Sequence, residues 1–394
     1  MFLQIHTLTS YPASLLNRDD AGLQKRIPFG NSMRLRVSSQ CQKRHWRESL
    51  AAQLPEIQDG QRTRSFFTRT VLPKAVAGGV PEDLAKRLIE PLAAVVVKGG
   101  VKKGGDLNQP ILFGLAEADY FVSLLKAVSQ EPHIQEVASK EQSEKVDKEL
   151  AKVAGEALVE AIGKDNLQAL RKSALGTEGL TASLFGRMVT SDLLARVDAP
   201  VHVAHALTVH AANTEIDYFT VVDDLNRDDE TGAAHANQSE LGAGVFYGYV
   251  VVDIPLLMSN LTGCERKDWR DQDSSRAREI LRALIAAILQ KSPGAKLGST
   301  APYAHADFSL FETGAQQPRA LSNAFIEALP FRGDLRREAI GRLGEYVAQL
   351  DGMYGSPSEG VRHMSTVFEG SAGLPDKQPV PQAVNATLDA IFGA

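Results

Sequence analysis

The sequence predicts an α+β protein whose sheet is interrupted by a long helical insertion, and three observations predict it. Strand-like segments stand near the N-terminus, at Phe2–Leu8 and Met33–Val37, and return far downstream at Val245–Ile254 and Phe308–Phe311. Between these two groups, residues 70–180 are dominated by helical periodicity. The chain has 394 residues, 43% hydrophobic and 23% charged, which is the make-up of an ordinary globular protein large enough for more than one structural unit. Strands on both sides of a helical block imply one α+β core split in sequence.

In order, Phe2–Leu8 reads as a strand with Phe2 or Leu3, Ile5 and Leu8 as its apolar points, and Tyr11–Asp20 as a loop held by Leu15 and Leu16. Arg34, Arg36 and Ser38 alternate with Met33, Leu35 and Val37, as in a half-buried strand. Gln40, Lys43, Arg44 and Arg47 follow at helical spacing, with Ser38 or Ser39 as the N-cap. The polar stretch 58–69 marks a boundary. Beyond it come LAKRLIEPLAAVVV, broken by Pro91, the glycine- and lysine-rich loop Lys98–Asp106, and EADYFVSLLKAV. A long polar helix then spans about Gln135–Leu170, with Val146, Leu150, Val153, Ala157, Leu158 and Ile162 on one side. VAHALTVHAAN reads as a strand or a buried helix. A polar excursion flanked by aromatics separates Tyr218 from the strand Val245–Ile254. Arg276–Lys291, Leu335–Leu350 and Val380–Phe392 read as helices. The expected division is 1–57, the helical insertion 58–180, and 181–394, with an inserted projection at about 212–246.

Charge is distributed unevenly. The chain is formally −5, yet Asn17–Arg47 carries Arg18, Lys25, Arg26, Arg34, Arg36, Lys43, Arg44 and Arg47 against only Asp19 and Asp20. A basic segment in an acidic protein implies a polyanion docking at one place. Asn17, Ser38, Ser39 and Gln40, set among the charges, suit phosphate and sugar oxygens. A strand that delivers cations to a helix N-terminus makes an anion cradle.

Other chemistries lack complete motifs. Cys41 and Cys264 are too few and too far apart for a disulfide framework or zinc spacing, and fit a reducing compartment. The N-terminus lacks signal-peptide features, and no apolar run reaches membrane-spanning length. Asp19/Asp20, Asp223/Asp224 and Asp228/Asp229 could hold Mg²⁺ beside phosphate, but more simply balance arginines or sit on solvated loops. His202, His205 and His210 lack the glutamate of a zinc helix and read more simply as packed or capping residues. No nucleophile elbow, Walker A loop or dinucleotide fingerprint is present. No catalytic residue, metal site or cofactor is expected. Met188, Tyr218 and Phe219 are candidates for stacking on bases, or otherwise for core.

The motifs LNRDD (16–20), QK (24–25), FG (29–30), RLRVSSQ (34–40), GRMVTSD (186–192), HAL (205–207), IDYFTVVDDL (216–225), GVFY (244–247), PGAK (293–296) and LSNAF (321–325) fall in one order. Together they resemble the CasC family, the backbone subunit of the type I-E CRISPR Cascade complex. The resemblance implies a modified RNA-recognition (ferredoxin-like) palm, an inserted helical fingers subdomain and a β-hairpin thumb. It implies a non-catalytic scaffold that polymerises along crRNA and presents it to target DNA in antiviral defence. Its partners would be crRNA, target DNA, copies of itself, and the crRNA-end-capping, large and small Cascade subunits, in the cytoplasm and with no membrane. Arg18, Lys25, Ser38, Gln40, Lys43, Arg44 and Arg47 would hold the guide's backbone, with Met188, Tyr218 and Phe219 beside a flipped base. Lys98, Lys102 and Lys103 are candidates for touching target DNA. The competing reading is a metal-dependent endoribonuclease of the CRISPR RAMP class using Asp19 or Asp20.

Overall fold

A computed structural model describes residues 1–57, 59–97, 99–162, 179–187, 196–221, 235–355, 360–370 and 372–393. Its strands, in chain order, are β1 (Phe2–Ser14), β2 (Arg26–Phe29), β3 (Ser32–Val37), β4 (Gln61–Thr63), β5 (Ile111–Phe113), β6 (Val201–Val203), β7 (Ala206–Thr208), β8 (Thr214–Val221), β9 (His235–Asp253), β10 (Ala306–Gly314) and β11 (Val361–Thr366). The chain divides into two units. One comprises Met1–Leu54, Val201–Ile254 and Asp273–Ala394; the other comprises Pro55–Pro200 and Pro255–Gln272.

The first unit is built on an antiparallel sheet of order β11-β10-β1-β9-β7-β3-β2, with β6 and β8 also paired to β9. β1 is central because its apolar residues meet apolar partners on both sides. Ile5 faces Val250 and Phe311, and Leu8 faces Tyr247 and Phe308. Leu8, Tyr247, Phe308 and Leu310 pack with Phe325, Ile340, Leu343 and Val347. The last three lie on the helix Leu335–Tyr354. Tyr11, Leu16, Leu35, Val37 and Phe246 form a smaller cluster. Each side chain of this size removed from water contributes about 1.5–3 kcal/mol. The β2–β3 turn requires Gly30: its φ is +60°, and a Cβ there would strike the Ile326 carbonyl.

The second unit is mainly helical. Phe66, Phe67, Phe113 and Phe121 form its aromatic centre, Phe66 and Phe113 stacking at 4.1 Å. Helices Glu82–Val96, Leu115–Ser129 and Glu144–Ile162 pack around them. A buried ion pair ties the unit's far segments together. Glu117 Oε2 accepts from Arg187 Nη1 at 2.8 Å and from Gly114 N at 2.9 Å.

The α+β class holds, and several element expectations need correction. Tyr11–Ser14 continues β1 instead of looping, because β9 is long enough to keep pairing past an irregularity between Tyr11 and Ser14. Pro91 does not break its helix: Leu88, Ile89, Leu92, Ala93 and Val96 bury both halves in one core, which outweighs the lost backbone bond. The long polar helix is two, Pro132–Ala138 and Glu144–Ile162. Ser143 Oγ accepts from Val146 N and starts the second. Its expected extension, 163–170, lies outside the described residues. VAHALTVH forms strands β6 and β7, not a helix.

Candidate nucleic-acid interface

Local rules assemble the cradle at the β3–helix junction. Ser38 leaves β3 with extended geometry (φ −68°, ψ 150°), and its Oγ accepts from Cys41 N at 3.2 Å, capping the helix Ser39–Gln53, here α1. Asn17 fixes this corner. Its Oδ1 accepts from Ser38 N at 2.9 Å and its carbonyl from Lys25 N at 2.8 Å. Arg36 N donates to Lys25 O at 2.9 Å, so the loop carrying Arg18 and Lys25 is hydrogen-bonded to β3. No acidic residue occupies the first turn of α1, whose N-terminal dipole therefore stays available to an anion.

The helix sorts its residues by face. Gln42, Trp46 and Leu50 are buried, Gln40 and Arg44 exposed, and Lys43 and Arg47 half-buried. Burial, and then the neighbouring Arg47, pushes the Lys43 ammonium below its ordinary value. Arg18, Ser38, Gln40 and Arg44 line one open groove of about 870 Å³, together with Asn17 and Cys41. Lys25 stands close enough to act on the Cys41 thiol, though burial dominates there and pushes the thiol up. Arg44 also pairs with Glu48 at 3.2 Å on the exposed surface, a contact worth little and easily exchanged.

Of the acidic residues lining the groove, Glu48 pairs with Arg44, and Asp19 and Asp20 differ from one another. Asp19 Oδ1 accepts from Ala21 N at 3.0 Å and Leu23 N at 2.9 Å, so it closes its own turn and does not simply balance an arginine. Asp20 is exposed. Among the described residues, no group of three His, Cys, Asp or Glu could hold a metal. The pairs Asp223/Asp224 and Asp228/Asp229 lie outside the described residues.

The arginines of β3 separate in a way that simple alternation misreads. Arg34 is fully buried, and Met33 is exposed. Arg34 donates to Thr208 O at 3.1 Å and Phe325 O at 2.8 Å, clamping β3 to β7 and to the 321–326 segment. Burial pushes its guanidinium down from its ordinary value. Arg36 instead donates from Nη1 to His205 Nδ1 at 2.8 Å on the exposed surface. The three histidines do not converge. His202 is exposed on β6. His210 is buried, with Nδ1 donating to Ala211 O at 2.8 Å and Nε2 accepting from Val245 N at 3.2 Å.

β8 and β9 form the expected hairpin, with Thr214 opposite Gly242 and Tyr218 opposite Gln238. Tyr218 and Ile216 are 61% and 62% exposed, so neither is a core residue. The hairpin's root is pinned: Glu240 accepts from Gln24 N at 2.7 Å and pairs with Arg26, which donates to Thr214 Oγ1 at 3.2 Å. Lys296 bonds Ser239 on the same strand. Lys102 and Lys103 are exposed in the other unit. Lys98, Met188 and the side chain of Phe219 lie outside the described residues. The sequence does not mark Arg36, His205 or Glu240 as site residues; the only signal for the first two is that HAL and RLR both occur among the ordered motifs.

A family model for CT1975-like proteins matches residues 3–390. No match occurs among curated proteins. The structure is similar over the full length of both chains to one from a "CRISPR RNA-guided surveillance complex, pre-nicking", with 26% identity and a TM-score of 0.77. It shares a fold, at 22% identity and a TM-score of 0.60, with a chain of a "CRISPR RNA-guided surveillance complex", again over the full length of both. The resemblance to Cascade backbone subunits is thus matched end to end by family and by fold, and the chain belongs to the CT1975-like protein family.

Proposed function

We propose that this protein is a non-catalytic scaffold that polymerises along a CRISPR guide RNA and presents it for pairing with target DNA. The observation that carries the reading is the cradle at α1. A helix N-terminus free of acidic residues opens beside a groove lined by Arg18, Ser38, Gln40 and Arg44. Such groups bind phosphate and sugar without regard to sequence, as a carrier of arbitrary guides must. Sequence reading then passes to base pairing. Lys25, Lys43 and Arg47 extend the cationic surface, and Met188 and Phe219 join Tyr218 as the base-contacting set.

In this reading the unit built on the β1-centred sheet is the palm, the β8–β9 hairpin the thumb and the helical unit the fingers. Lys98, Lys102 and Lys103 of the fingers touch target DNA. Copies of the chain and the end-capping, large and small Cascade subunits are its partners, in the cytoplasm. The use of Asp19 Oδ1 inside its own turn supports scaffold over nuclease.

The test is to incubate the full-length protein with labelled guide-length single-stranded RNA, with and without Mg²⁺, and to run native and denaturing gels in parallel. Cooperative shifted bands with intact RNA are expected. Mg²⁺-dependent fragments that vanish in an Asp19→Asn, Asp20→Asn double variant would make it an endoribonuclease. Saturable binding with no ordered assembly would make it a solitary RNA binder.

A further inference from the structure

The Arg36–His205 pair performs no task in the cradle described above. Arg36 lies on β3 opposite Leu207 of β7, and His205 immediately precedes β7. A guanidinium can only donate, so at 2.8 Å His205 Nδ1 must be the acceptor. The ring is then neutral, with its one proton on Nε2. Burial, then Arg36, then Lys25 all disfavour the cationic ring. The histidine therefore presents a single uncharged N–H donor on an exposed side chain, in the field of Arg36 and Lys25.

We propose that His205, oriented by Arg36, donates from Nε2–H to a ribose 2′-hydroxyl of the bound strand and so distinguishes RNA from DNA. This inference rests on the guide-RNA reading and deepens it. A scaffold for arbitrary guides can use only what every nucleotide carries, namely phosphate and sugar. Lysines and arginines hold phosphate equally well on RNA and DNA. The 2′-hydroxyl alone separates the two polymers at a given site. A neutral donor beside the cations matches that neutral group, and its tautomer is fixed in advance by Arg36. His205 is the contacting residue in this arrangement, and Arg36 is a positioning residue.

The experiment measures Kd of the full-length protein for guide-length RNA and for single-stranded DNA of the same sequence across a salt series. His205→Ala is expected to weaken RNA binding about two- to tenfold, the range of one neutral hydrogen bond, and to leave DNA binding and the RNA salt slope unchanged. His205→Gln, whose amide can place a donor near the Nε2 position, restores the preference for RNA. Arg36→Ala lowers the RNA:DNA ratio to the His205→Ala level, and Arg36→Lys, which keeps a donor for Nδ1, recovers it. Equal losses on RNA and DNA, or a shallower salt slope in His205→Ala, would make this a phosphate contact and overturn the proposal. So would no change on RNA. Failure of the unaltered protein to bind RNA at all would overturn both this inference and the reading beneath it.

Discussion

At the scale of the residue, side-chain chemistry alone does not decide a role. Arg34 and Arg36 are identical and two apart on one strand, yet one is a buried clamp on carbonyls and the other a half-buried partner of an exposed histidine. Lys25 and Lys43 are both half-buried, and in the proposed function they offer their charge to phosphate. Replacing both by alanine should weaken binding to all single-stranded RNAs alike. It should also reduce the slope of log K against log salt by about 1.4, two contacts at about 0.7 each. Filter binding of two unrelated sequences across a salt series checks this, and loss on one sequence only would exclude phosphate recognition. The basicity of this segment was legible in the sequence. The burial of Arg34 was not, because it depends on the 321–326 segment, nearly 300 residues away, folding over β3.

At the scale of the element, two polar devices hold the sheet unit in shape. Glu240 pins the β8–β9 hairpin to Gln24 and Arg26. Removing it leaves a buried backbone donor unpaired, at a cost of about 1–3 kcal/mol. Glu240→Ala should therefore leave the sheet folded while amide exchange accelerates across Thr214–Val221 and its partner strand. Unchanged protection there would remove Glu240 from the hairpin's support. The second device centres on Glu312. It accepts from His6 Nε2 at 3.1 Å and from Arg362 Nε at 2.7 Å, and Arg362 also grips Asp351. Burial pushes the Glu312 carboxyl up, but His6, Arg362 and Arg319 outweigh burial and bring it down from 4.5 to about 2. Below its ordinary value the unfolded chain binds the extra proton, so stability present above pH 4.5 is lost as pH falls toward 2. The loss is on the order of 3 kcal/mol. Denaturant midpoints measured from pH 6 to 2.5 should fall steeply for the unaltered protein and more gently for Glu312→Gln.

At the scale of the whole molecule, the proposed scaffold depends on repetition. Each copy would hold a fixed length of guide, and an exposed aromatic on its hairpin would mark the boundary. Tyr218→Ala should leave the fold intact, because the side chain is 61% exposed and packs in no core. It should blur the regular spacing of nuclease protection along a bound guide, since base–aromatic stacking is worth about 1–3 kcal/mol per base. Protection that keeps its sharp repeat would take Tyr218 out of the base-contacting set.

The sequence by itself determined the α+β class, the helical insertion, the capped junction of basic strand and helix, and the family. These follow from local rules: period-2 and period-3.6 patterning, a serine cap, a run of charge, and motifs in a fixed order. Only the tertiary structure decided the rest. It extended β1 through Tyr11–Ser14 because β9 offered partners, and it carried a helix through Pro91 because a core formed on both sides. It buried Arg34, joined Arg36 to His205 across 169 residues, and pinned the hairpin through Glu240 to a loop 216 residues earlier. The division has a physical cause. Propensity and capping are settled within a turn or a strand, whereas burial and hydrogen-bond partnership depend on which distant segments the folded sheet brings together.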